Sequence, residues 1–260
     1  RGLREECGVR RLGEVSGALV TAFRTLTILP VPGKEVSSPA SSLPWFPVVG
    51  LTLGGLVYAV ARAVDLAASH TWPEAVAFAA LAAGTFLTRG LHLDGLSDWA
   101  DGFGSLADRE RILEIMKDPR AGVFGVTALI LSCLGKWVVL VRLWQLRAGL
   151  WILAACVVSR TMQAELAAAF PYARREGGRA RAFMEGTKPG HRVGSLVAAA
   201  LILYALFALK GLGALALGVL AGELFGLWCM KRLGGVTGDI LGACSEFVEF
   251  SVLLAGVFLW

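Results

Sequence analysis

Histidine occurs three times and cysteine five times in 260 residues, and neither type clusters. Cys7, Cys133, Cys156, Cys229 and Cys244 form no CxxC pair, so a zinc ribbon and a disulfide framework are excluded, and the thiols read as structural and unpaired. Walker A, HExxH and a Ser-His-Asp arrangement are absent as well, which removes the P-loop and zincin chemistries from consideration. Charge is sparse. Asp, Glu, Lys and Arg make up 17% of the chain, against about 25% in an ordinary soluble domain. The first residues are charged rather than apolar, so no cleavable signal peptide is expected. No repeat, low-complexity tract or linker divides the chain, and residues 1–260 read as a single domain.

What is abundant is apolar side chain and glycine. Hydrophobic residues reach 56%, glycine 32 positions and mean hydropathy +0.65. Small residues in that number suit helices packed closely in lipid. Seven apolar stretches fall at 45–61, 73–88, 122–141, 149–170, 194–209, 211–230 and 246–260, most near the ~20 residues that a bilayer requires. The second, fifth and last are short, and one of them can be re-entrant. The expected fold is therefore all-α: a polytopic membrane helical bundle of about seven transmembrane helices, with short cytoplasmic helices. Ahead of it, residues 1–44 form an N-terminal region. Within it Leu12, Val15, Leu19, Phe23 and Leu26 recur at helical spacing, which fits either an amphipathic helix on the interface or a helix packed on the bundle.

Nineteen of the 25 Lys and Arg residues fall in 1–44, 89–121, 171–193 and 231–245. By the positive-inside rule these segments are cytoplasmic, with the N-terminus inside and the C-terminus outside. The same bias accounts for the net charge of +5 without nucleic acid. A cytoplasmic (inner) membrane location follows, with the lipid bilayer as partner.

The three cytoplasmic segments 89–121, 171–193 and 231–246 carry the chemistry. In the first, Asp94, Asp98 and Asp101 stand at i, i+4 and i+7, which stacks three carboxylates on one helix face. Their mutual repulsion asks for a shared divalent cation. An all-oxygen donor set favours magnesium, which takes one or two carboxylates plus water and substrate phosphates. Ser105 or Asp108 can cap a short helix that ends near Met116, and Lys117 and Arg120 stand beside a helix start at Gly122 and Gly125. That basic pair suits a phosphate, although topological anchoring explains each residue equally well. The second segment, with Arg174 and Lys188, can hold a polyanion. The third presents Thr237 and Asp239 on a glycine-rich turn and ends at Glu246. His92 adjoins Asp94. Arg160, Glu165, Lys136, Glu223, Glu246 and Glu249 lie inside apolar stretches, where ionisable groups face a cavity or a partner. Arg160 either reaches a phosphate or pairs with a glutamate. Together these residues indicate a metal-bridged diphosphate.

LHLDGLSDWADG at 91–102 resembles the signature of the cobalamin synthase (adenosylcobinamide-GDP ribazoletransferase) family. TILPVP at 27–32, WFPVVG at 45–50, MKDPRAGVFG at 116–125, SR at 159–160, YARREG at 172–177 and GGVTGDILGACSE at 234–246 match it in the same order. The resemblance implies a magnesium-dependent transferase that joins adenosylcobinamide-GDP to α-ribazole or its 5′-phosphate and releases GMP, a late step of cobalamin biosynthesis. It also implies metal on Asp94, Asp98 and Asp101, catalytic work by these and Asp239, and substrate contacts from His92, Lys117, Arg120, Arg160, Arg174, Lys188, Thr237 and Glu246. Ser97 and Trp99 replace smaller or more polar residues of many relatives, and both are expected off the acidic face. Homo-oligomerisation, or association with other cobalamin-assembly enzymes, is left open. A CDP-alcohol phosphotransferase shares the aspartate logic, but its DGxxAR pattern is not met at Asp98 and Trp99. An ion-coupled transporter would place its acids at mid-membrane between inverted repeats, which are absent.

Overall fold

A computed structural model describes residues 2–175 and 177–259, with side-chain environments from Gly13 onward. Eleven α-helices and one 3-10 helix follow one another, and the sole β-type pairing among the described residues is a parallel bridge between Tyr172 and Val236. In chain order the helices are α1 (Gly2–Leu26), the 3-10 helix Pro39–Trp45, α2 (Phe46–Ala67), α3 (Pro73–Leu87), α4 (Leu91–Gly104), α5 (Arg109–Ile115) and α6 (Val123–Gln145). After them come α7 (Trp151–Ala169), α8 (Arg181–Met184), α9 (Pro189–Phe207), α10 (Leu209–Leu233) and α11 (Gly238–Leu259). Prolines open the 3-10 helix, α2, α3 and α9, where a missing N–H costs nothing. Asp108 caps α5 by accepting the Arg111 N–H at 3.0 Å.

Six segments are long and apolar enough to cross a bilayer: Pro39–Ala67, α6, α7, α9, α10 and α11. The protein is a multi-pass helical membrane bundle. The stretch expected at 73–88 is α3, of 15 residues, long enough to cross a bilayer only together with α4, from which it is bent by 88°. The bend sits at Thr88–Gly90, where Gly90 adopts φ +67. α4 therefore turns aside instead of prolonging α3, and its 14 residues are too few to cross a bilayer alone. α11 begins at Gly238, eight residues before the apolar stretch 246–260 expected from hydropathy. Its extra turns carry Asp239 and Ser245, polar groups that lower hydropathy, Ser245 buried and Asp239 held by Arg174.

α7 is the axis of the bundle. Sixteen of its 19 residues are buried, between α2 on one side and α11 on another, with α9 and α10 completing the sleeve. Close packing uses glycine: a methyl at Gly50 of α2 would stand 2.4 Å from the Cys156 carbonyl oxygen. α1 takes the second of its two expected settings. It packs on the 3-10 helix and α2 through Ala18, Ala22 and Leu26, while Val15 stays exposed. The Thr21 hydroxyl accepts the Val36 N–H at 3.1 Å, and Arg24 donates to the carbonyls of Val31 and Gly33, so the proline-rich loop is folded back on this helix. Leu12 lies outside the described side chains.

Candidate active site

α4 has two unlike faces, as a period of 3.6 residues requires. His92, Gly95, Leu96, Ser97, Ala100, Gly102 and Phe103 are buried. Asp94 is exposed, and Asp98 and Asp101 are half-buried. Trp99 turns off the acidic face into a cluster with Phe103, Phe225, Trp228 and Phe247.

The three aspartates are not equivalent. Asp101 accepts the Gly122 N–H at 2.7 Å and the Gly125 N–H at 2.8 Å, one on each oxygen, and so caps the start of α6. Asp98 has no such partner. Burial, followed by the nearby charges of Asp239 and Asp94, raises its pKa to about 7, against the pull of Arg174. Asp239 reaches this group because α11 crosses α4 at Gly95, whose missing side chain admits the Asp239 backbone. Thr237 is buried; its hydroxyl oxygen accepts the Ile240 N–H and donates to Asp239 Oδ2, each at 3.3 Å. Arg174 donates through Nη2 to Asp239 Oδ2 at 2.6 Å and to the Met116 carbonyl at 3.2 Å.

Segments 171–175 and 233–239 are tied together by backbone bonds from Ala173 N–H to the Val236 carbonyl and from Val236 N–H to the Pro171 carbonyl, both 2.9 Å. Arg109 of α5 fastens both segments. Its Nε donates to the Leu233 carbonyl at 2.7 Å and its Nη2 to the Ala173 carbonyl at 2.8 Å. Sequence reasoning missed Arg109, since a basic residue in the first turn of a short helix carries no signal of carbonyls 64 and 124 positions away.

The remaining expected substrate residues divide into two groups. Lys117 and Arg120 are exposed; Arg120 holds Asp118 through two hydrogen bonds of 2.9 and 2.7 Å, which lowers the Asp118 pKa to about 2. Arg120, with Arg111, lines a groove of about 500 Å³ between α5 and α6 that reaches Asp101. Lys188 is exposed just ahead of α9. Arg160, Glu246 and His92 instead lie behind α4. There Arg160 pairs with Glu249, and Lys136 donates to Glu246 at 2.9 Å and to Glu249 at 2.8 Å. Ser132 adds a bond to Glu246, and His92 Nδ1 lies 3.4 Å from Arg160 Nη2. This network borders a cavity of about 60 Å³, on the face of α4 opposite Asp94.

The donor set on the acidic face consists of carboxylate oxygens alone, and the repulsion recorded at Asp98 is what a cation relieves. Among the described residues no three His, Cys, Asp or Glu side chains converge on a single point. Magnesium needs no such convergence, since it takes one or two carboxylates and fills its remaining positions with water and phosphate. The residues therefore fit a magnesium ion bound together with a diphosphate.

A family model described as cobalamin-5-phosphate synthase matches residues 18–257. Curated relatives named adenosylcobinamide-GDP ribazoletransferase match nearly end to end. The protein of Chlorobium phaeobacteroides (strain BS1) is 49% identical over 245 residues, covering 93% of this chain and 97% of the relative. That of Chlorobaculum parvum is 47% identical, covering 93% and 95%, and that of Syntrophobacter fumaroxidans 40% identical, covering 92% and 96%. No solved structure matches. The acidic face, the bundle that carries it and a family match over almost the whole chain agree, and the chain belongs to the cobalamin-5-phosphate synthase family.

Proposed function

We propose that this protein is a membrane transferase that joins adenosylcobinamide-GDP to α-ribazole or its 5′-phosphate, giving adenosylcobalamin or its phosphate and GMP. The observation that carries this reading is the family match over 18–257, which spans every segment that builds the acidic face. The site opens toward the cytoplasm in this reading, because the basic segments flank it.

Asp94 and Asp98 would hold a magnesium ion, while Asp101, whose two oxygens accept the Gly122 and Gly125 N–H groups, sets the start of α6 beside them. When bound, the ion neutralises diphosphate charge and stabilises the departing GMP. Arg174 lies at the edge of the same face and binds phosphate oxygens there, drawing on a guanidinium whose planar fork matches them. Arg120 lines the groove by which a polyanionic substrate approaches, and the exposed Lys117 stands nearby in the same loop. The ribazole hydroxyl attacks the phosphorus on the cobinamide side, and a carboxylate of the acidic face takes its proton. Thr237 and Arg174 together keep Asp239 turned toward Asp94 and Asp98.

The test is incubation of the purified protein in detergent with adenosylcobinamide-GDP, α-ribazole and magnesium, with chromatography for GMP and adenosylcobalamin. Equal amounts of the two products are expected. No product from a folded sample defeats the assignment.

A further inference from the structure

Of the two spaces that adjoin α4, one is large enough for a nucleoside. The cavity behind the helix, of about 60 Å³, has room for a few waters. The groove between α5 and α6, of about 500 Å³, falls in the range of small-molecule sites, and Asp101 is part of its lining. A nucleotide whose diphosphate lies on the acidic face has its base one ribose away. The base of the substrate therefore belongs in this groove.

The lining suits a flat ring with a polar edge. Ile115, Ala121, Val123 and Phe124 supply an apolar wall. Phe124, in the first turn of α6, is more than half exposed. A methyl at Gly104 would stand 2.5 Å from Phe124 Cγ and 2.8 Å from each Cδ. Equal approach to both Cδ atoms puts Gly104 over one face of the ring, where a larger residue would push the ring aside. Backed in this way, Phe124 offers a stacking surface, and every base has a π-face to lay on it.

Two ion pairs form the polar wall, Arg120 with Asp118 and Arg111 with Glu114. Arg120 spans both oxygens of Asp118, which leaves that carboxylate little to offer. Glu114 is engaged on one side. Arg111 Nη1 donates to its Oε2 at 2.6 Å, and Oε1 accepts no hydrogen bond from the described residues. Both side chains are more than half exposed, so a base reaches them without displacing protein. Guanine presents an acceptor, O6, next to two donors, N1–H and N2–H. Arg111 and Glu114 present the complement, a guanidinium with N–H groups to spare beside a carboxylate. Adenine has a donor and then a bare lone pair at the first two of these positions, and the carboxylate repels that lone pair.

We propose that this groove is the guanine subsite of the transferase: Phe124 stacks on the base, Glu114 accepts its N1–H and N2–H groups, and Arg111 donates to O6. The assignment rests on the transferase reading and deepens it, making the groove the element that selects a guanine nucleotide.

The test is calorimetry of the detergent-purified protein with magnesium and GDP, IDP or ADP. IDP differs from GDP only by the missing N2 amino group. Wild type should bind GDP about tenfold more tightly than IDP, the worth of a hydrogen bond to a charged group, and ADP more weakly than IDP. E114A should bring the ratio of the IDP and GDP dissociation constants close to one. Its thermal midpoint should fall by no more than about 4 °C, since an exposed ion pair contributes little. F124A should weaken GDP and IDP by the same factor, about tenfold, and keep their ratio. The proposal is overturned if wild type binds GDP and IDP equally or binds neither, if E114A keeps the wild-type ratio, or if F124A binds both as tightly as wild type. None of these measurements needs turnover. A selective protein that forms no adenosylcobalamin defeats the transferase reading alone, and an active one that does not tell GDP from IDP defeats the subsite alone.

Discussion

Gly95 of α4 lies under the backbone of Asp239 of α11, so closely that a methyl at position 95 would stand 2.6 Å from the Asp239 carbonyl oxygen and 3.1 Å from its Cα. The contact is backbone against backbone, and neither partner has a flexible end that can move away. It is what delivers the fourth carboxylate to the acidic face. G95A must therefore part the two helices, at a cost of about 1–3 kcal/mol by overpacking. Thermal unfolding in detergent should show a lower midpoint, and GMP release should fall at least tenfold because Asp239 is displaced. A G95A protein with wild-type activity would show that Asp239 is dispensable.

The carboxylate of Asp101 closes the start of α6, and its loss leaves the N–H groups of Gly122 and Gly125 without acceptors. D101A should cost about 1–2 kcal/mol, the usual worth of a helix cap. For a chain of this size that corresponds to roughly 2–8 °C in the midpoint. D101N keeps one acceptor oxygen and should fall between wild type and alanine. If D101A unfolds at the wild-type temperature, the capping role is wrong and the aspartate is free for ligand alone.

Much of this architecture is readable from residue pattern, for reasons that also mark where reading fails. Hydropathy locates the spans because lipid demands apolar length, and the i, i+4, i+7 spacing of Asp94, Asp98 and Asp101 is local. The 88° break at Thr88–Gly90 is not local in the same sense, since the apolar run stops there whether the chain leaves the membrane or turns along it. α11 starts earlier than hydropathy places it because its first turns carry Asp239, which is held by Arg174 and Thr237 from the adjoining loops. The approach of Asp239 depends on Gly95, and the clamp on Ala173 and Leu233 depends on Arg109, across separations that no window covers. Arg160 and Glu246 are recognisable from the sequence as groups that face a cavity or a partner, but only packing shows that the network they join, with His92 beside Arg160, lies behind α4.

That network gives a prediction of its own. Glu249 bridges Lys136 and Arg160, and both cations are almost wholly buried. Removing the bridge in E249A leaves two buried cations to share Glu246, and breaking a buried ion pair typically costs about 3–5 kcal/mol. A large drop in midpoint is expected, with E249Q less affected. Because the network faces away from Asp94, KM for either substrate should change by less than about twofold in the fraction that stays folded. A change in KM with no loss of stability would instead make this cluster a substrate site.

Asp98 sets a pH dependence whose sign follows from its surroundings. Its pKa in the folded protein is raised from 3.8 to about 7, first by burial and then by Asp239 and Asp94. Below pH 3.8 the carboxyl is protonated in both folded and unfolded chains, and its contribution to stability is fully present. Between pH 3.8 and about 7 the unfolded chain ionises while the folded chain holds the proton, so the folded state binds more protons and stability falls as pH rises. Above about pH 7 both forms are ionised and the loss is complete. D98N lacks this titration. In detergent with a chelator present, the midpoint of wild type relative to D98N should therefore decline from pH 4.5 to pH 7 and level off beyond it. Magnesium should restore the wild-type midpoint at pH 8, where the carboxylate is charged, and should do less for D98N, which has no charge to neutralise. Parallel midpoint curves for the two proteins across this range would mean that Asp98 ionises as freely in the fold as in water, and the crowding of carboxylates on the acidic face would lose its energetic basis.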